Sequence, residues 1–73
     1  MTDVTCIVRL ENVSRCITIG QMLEGSSLER VERIPGTINY RIEFKFVHRD
    51  KADRMFLWNE DKIYENNPYG KPP

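Results

Sequence analysis

From Thr37 to Val47 apolar and polar residues alternate without a break, with Ile38, Tyr40, Ile42, Phe44 and Phe46 on even positions and Thr37, Asn39, Arg41, Glu43 and Lys45 on odd ones. A period of two in aromatic and β-branched types predicts a long strand with one buried and one wet face. Val4 to Leu10 shows the same alternation in Val4, Cys6, Val8 and Leu10, and Val13 to Ile19 places Val13, Ile17 and Ile19 on one parity. These segments predict a first and a second strand joined near Glu11-Asn12. After the polar connector Arg49 to Asp53, the run Arg54-Met55-Phe56-Leu57-Trp58 predicts a strand that forms a hairpin with the long one. Ile63-Tyr64 adds a short last strand beyond the turn-like Asn59-Glu60-Asp61-Lys62.

Between Gly25 and Gly36 two patterns compete. Ser26-Ser27-Leu28-Glu29 has the form of a capping box, Leu28, Val31 and Ile34 share a helical face, Glu29 reaches Arg33, and Pro35-Gly36 gives a stop. That predicts a helix near residues 27–33. The alternative makes Pro35-Gly36 the centre of a turn joining strand 28–34 to the long strand, with Val31 opposite Tyr40. It sets Arg33 and Glu29 against Ile38 and Ile42, which puts charges on a buried face. The expected fold is therefore α+β to mainly β, a single small antiparallel sheet or barrel of four to five strands with at most one short helix. The compact domain is expected over 1–65, and 66–73 (Asn-Asn-Pro-Tyr-Gly-Lys-Pro-Pro) reads as a flexible C-terminal tail.

Size changes this picture. A chain of 73 residues buries only about 60 to 65% of the surface it exposes when unfolded, so it draws on disulfides, a metal or association for stability. Cys6 and Cys16 are too few for a disulfide framework, and in the hairpin register Cys6 faces position 17 or 19, not Cys16. With His48 they fall one ligand short of a closed zinc site, so no metal and no cofactor is expected. Association with a protein partner or with a second copy remains. The longest uncharged run, Cys16 to Leu23, is far shorter than the ~20 residues of a membrane span, and Met1-Thr2-Asp3-Val4 has no signal-peptide character. A cytoplasmic location with reduced thiols follows as the expectation.

Charge and motifs narrow the chemistry. His48-Arg49-Asp50 matches the tripeptide that opens the protein-kinase catalytic loop, but Met55 stands where that pattern needs asparagine, and no glycine-rich loop accompanies it. Catalysis by Ser14, Ser26, Ser27 or either cysteine has only His48 as a base, and the carboxylates Glu29, Glu32, Glu60 and Asp61 have basic neighbours. The chain is therefore not expected to be an enzyme. Met55, Phe56, Leu57 and Trp58 are apolar on both faces of a strand, which marks them, with Tyr64 and Tyr69, as candidates for a protein interface. The leading expectation is a small non-catalytic binding module, an accessory subunit, regulator or inhibitor of the kind that bacteria and their viruses encode. It acts through that apolar segment and a sheet edge. The alternative is a small barrel that binds single-stranded nucleic acid through Arg41, Lys45, Arg49, Lys51 and Arg54 with aromatic stacking. The balance of 11 basic and 11 acidic residues, and Glu43, Asp50 and Asp53 among those cations, weigh against it.

Overall fold

A computed structural model describes residues 1–66, with side chains through Glu60. The order of elements is β1 (Thr2–Arg9), a 3-10 turn (Leu10–Asn12), α1 (Val13–Met22), β2 (Ser26–Arg33), β3 (Asn39–Phe46) and α2 (Arg49–Asn66). Among the described residues the sheet has three strands in the order β1-β3-β2, both pairings antiparallel. The flanking strands β1 and β2 thus run parallel to each other with β3 between them, and α1 makes the crossover. This is a split β-α-β unit followed by a second helix.

The alternation read in β1 and β3 sets the core. Val4, Cys6 and Val8 from β1 and Ile42, Phe44 and Phe46 from β3 are all buried on the face that the helices cover. Cys16 of α1 and Ala52 and Met55 of α2 complete that cluster, with Val13, Ile17, Ile19, Leu23, Leu28 and Trp58 packed around it. Phe44 and Phe46 lie 6.0 Å apart, ring centre to ring centre. Gly20 is required where α1 crosses the sheet, because a side chain there would run into the Phe44 ring. Gly25 turns the chain from α1 into β2 at φ 77, and its carbonyl accepts from the Val47 amide at 2.9 Å.

Several expectations need correcting. The sheet is open, so no barrel of four to five strands forms among the described residues. Val13 to Ile19 is helix, not strand: Val13, Cys16, Ile17 and Gly20 follow the i, i+3, i+4, i+7 rule and bring Cys16 and Gly20 into the core, which parity alone cannot do. Leu10–Asn12 is the lead-in to that helix and not a hairpin turn. Residues 27–33 are strand, not helix.

A β-bulge between Leu28 and Arg30 removes the Glu29 half of the mismatch that disfavoured this strand, while Arg33 sits opposite Tyr40 at the exposed end of the strand. It shifts the phase so that Leu28 pairs with Phe44, Val31 with Ile42 and Arg33 with Tyr40, while Glu29 falls out of register. The turn is also wider than a Pro35-Gly36 centre, since the Ile34 amide bonds the Asn39 carbonyl at 2.9 Å.

Met55 to Trp58 lie in α2, and so does the backbone of Ile63-Tyr64, expected as a last strand. Helical spacing buries Ala52, Met55 and Asn59 on one stripe, sets Phe56 at the flank of that stripe and turns Leu57 to the opposite side. The tail expected at 66–73 lies outside the described residues apart from Asn66, which closes α2. No described helix is long and apolar enough to cross a membrane.

Candidate functional site

The uncovered face of the sheet carries the odd-numbered residues of β1 and β3 with their β2 partners. Lys45 lies between Asp3 and Ser27, Glu43 between Thr5 and Arg30, and Arg41 between Ile7 and Glu32. Arg41 Nη1 bonds Glu32 Oε1 at 2.9 Å. The result is a neutralised grid of cross-strand pairs. A shallow depression of about 190 Å³ crosses it, lined by Asp3, Thr5, Glu29, Glu43 and Lys45. No group of described residues is arranged to hold a metal ion. None of the described side chains on this face is aromatic, so it offers no platform on which bases stack.

The five cations of the nucleic-acid reading do not form one surface. Arg41 and Lys45 sit on β3 in the grid just described, whereas Arg49, Lys51 and Arg54 lie on α2. Arg49 pairs with Asp53 at 3.4 Å and Lys51 with Asp50 at 3.4 Å. Desolvation, the largest single influence on it, pushes the Asp50 carboxyl up. The Lys51 ammonium, its hydrogen bond and the amides of the first helical turn outweigh this and hold the group below its ordinary range. His48 is exposed just before α2, 3.8 Å from Glu24.

The helical layer presents apolar surface. Of the four residues singled out in 55–58, Met55 is fully buried and Trp58 packs against the core, while Phe56 and Leu57 are 53% and 62% exposed. Tyr64 belongs to the part of α2 whose side chains are not described, and Tyr69 lies outside the described residues.

Beside α2 runs the outer edge of β1. Ile7 sits opposite Arg41 in the ladder, yet its backbone bonds outward to Asn59: the Ile7 amide donates to Asn59 Oδ1 at 3.3 Å, and Asn59 Nδ2 donates to the Ile7 carbonyl at 3.1 Å. The Asn59 side chain thus stands where a fourth strand would offer a peptide group. By the alternation of an antiparallel ladder, Asp3 and Thr5 also direct their backbone groups outward. Helical rise places Phe56 one turn before Asn59, alongside that stretch.

On its other flank α2 meets α1. The two helices are antiparallel, since α1 ends at Met22 near the end of the sheet where α2 begins. Ile19, Met22, Leu23 and Arg54 line an apolar groove of about 340 Å³ between them. Sequence reasoning missed this groove because it read both of its walls as strands. The i, i+4, i+7 spacing of Arg15, Ile19 and Met22 was the available signal.

The two thiols, Cys6 on β1 and Cys16 on α1, are free and fully buried. The hydrogen bond that the Cys16 thiol donates to the Cys6 sulfur, together with burial and the charge of a Cys6 thiolate beside it, pushes the Cys16 thiol far above its ordinary range. Both are inert as nucleophiles while the chain is folded. Compared with protein-family profiles, with curated proteins and with solved structures, the chain matches none of them.

Proposed function

We propose that the chain is a non-catalytic binding module that docks a protein partner, or a second copy of itself, against the outward side of α2 and the adjoining edge of β1. The observation that carries this reading is the exposure of Phe56 and Leu57, at 53% and 62%, on a helix whose core-facing stripe is already formed by Ala52, Met55 and Asn59. Large apolar side chains held rigidly by a helix are the usual centre of a protein interface, and a strand edge with unpaired amides adds directional bonds next to it. The nucleic-acid alternative gains no such support, because its cations are divided between the sheet and α2 and most have carboxylate neighbours.

The test is Phe56→Ser combined with Leu57→Ser. Leu57 lies opposite the core stripe and Phe56 at its half-exposed flank, so the variant should stay folded with a stability loss of no more than about 1–2 kcal/mol. It should lose self-association measured by light scattering, or capture of the partner that the wild type retains. A wild type that is monomeric at high concentration and retains no protein defeats the proposal.

A further inference from the structure

Resting on that reading of the helical layer, we propose that the groove between α1 and α2 receives an acidic amphipathic helix of a partner protein. Ile19, Met22 and Leu23 form one apolar wall, and Met22 is 78% exposed above it. Arg54 stands on the facing wall, and Trp58, one turn further along α2, is half-buried on the same side. Arg15 shares the stripe of Ile19 and Met22 by helical spacing. Neither Arg15 nor Arg54 has an ion-pair partner among the described residues; Arg33 and Lys45 share that property but lie on the sheet, whereas Arg9, Arg30, Arg41, Arg49 and Lys51 are paired. The apolar strip therefore lies between two arginines that no described carboxylate pairs, although the chain as a whole is neutral.

That arrangement specifies the occupant. Arg15 and Met22 are seven residues apart on α1, about 10 Å along its axis, and Arg54 lies beside Met22 at the groove's far end. Two carboxylates two turns apart on a third helix have the same separation, with the i+3 and i+4 positions between them facing the groove floor. Those positions call for leucine or methionine, as in other helix-in-groove complexes. A basic or neutral helix would leave both guanidinium groups unanswered at the rim.

The probe is a synthetic helical peptide with two glutamates two turns apart and leucines between them on the same face, alongside a twin with lysines in place of the glutamates. Trp58, the only tryptophan, reports on the groove through its emission. The expected result is a saturable shift with the glutamate peptide, weakened by salt, and none with the lysine twin. Arg15→Glu with Arg54→Glu should weaken the glutamate peptide about ten-fold or more and give binding to the lysine twin. Arg15→Gln with Arg54→Gln serves where the reversed variant does not fold, and should lose the preference between the twins.

Equal binding of both peptides, or of neither, overturns the proposal. So does a shift produced by laurate and not by the glutamate peptide, which assigns the groove to a small amphiphile. Self-association that the arginine substitutions abolish gives the groove to a second copy and overturns it too. If the peptide fails while capture through Phe56 and Leu57 persists unchanged in the arginine variants, only the groove's occupant is wrong. Loss of all protein binding by the wild type removes the underlying reading instead.

Discussion

Asn59 shows how one side chain decides what a sheet edge can do. It is buried, yet both ends of its amide are satisfied by Ile7, so its burial costs little while it withdraws one residue of β1 from outside pairing. Asn59→Leu leaves the Ile7 amide and carbonyl without partners under an apolar side chain. Chemical denaturation should register a loss of about 1–3 kcal/mol, and an unchanged midpoint refutes this role. The asparagine could not be recognised from sequence, because in the stretch Asn59-Glu60-Asp61-Lys62 it has the composition of a turn. Only its place seven residues after Ala52 and four after Met55 marks it as core-facing, and that spacing has meaning only once the segment is known to be helical.

At the scale of elements, β1 and β3 were legible because a half-buried strand imposes its period directly on the sequence. The other three elements were hidden for separate physical reasons. In α1, Val13, Ile17 and Ile19 share a parity by coincidence, and Cys16, the residue that reveals the helical period, falls off that parity. In β2 the bulge at Glu29 breaks the period midway, so no single template fits. In α2, four consecutive apolar residues imitate a strand covered on both faces, and the i, i+4 pair Arg49 and Asp53 that favours helix lay in a segment taken for a connector.

The candidate surface was legible in part. Of Met55, Phe56, Leu57 and Trp58, read together as interface candidates on a two-sided apolar strand, Phe56 and Leu57 are exposed on a helix, whereas Met55 belongs to the core. The fit of α1 against the sheet gives a sharp test of this assignment. Gly20→Ala improves helix propensity but drives a methyl group into Phe44, so it should destabilise by about 1–3 kcal/mol. A strand at 13–19 has no reason to respond in that direction.

For the whole molecule, the buried thiols serve as gauges of opening. Cys6 and Cys16 lie on the first strand and the first helix, both fully inside one cluster, so neither reacts without separating the helical layer from the sheet. Iodoacetamide should label the two at a common rate that rises with denaturant in step with global unfolding. Labelling of Cys16 well before Cys6 would mean instead that α1 detaches as a separate unit. Because the Cys16 thiol is held so far above its ordinary range, raising the pH toward the usual cysteine range should speed labelling only through the unfolded fraction, whose thiols titrate normally.

The central position of β3 has a consequence for how the chain is made. Thr2 pairs with Phe46 and Val8 with Tyr40, so β1 leaves the ribosome long before the strand that must shield it. At roughly 5–20 residues per second this delay amounts to about 2–9 s. During that interval Val4, Cys6 and Val8 have no sheet to lie on, and the hairpin of β2 and β3 is the first unit able to form from neighbouring sequence. Asn59 emerges later still, so the amide and carbonyl of Ile7 meet their side-chain partner only after β3 is available.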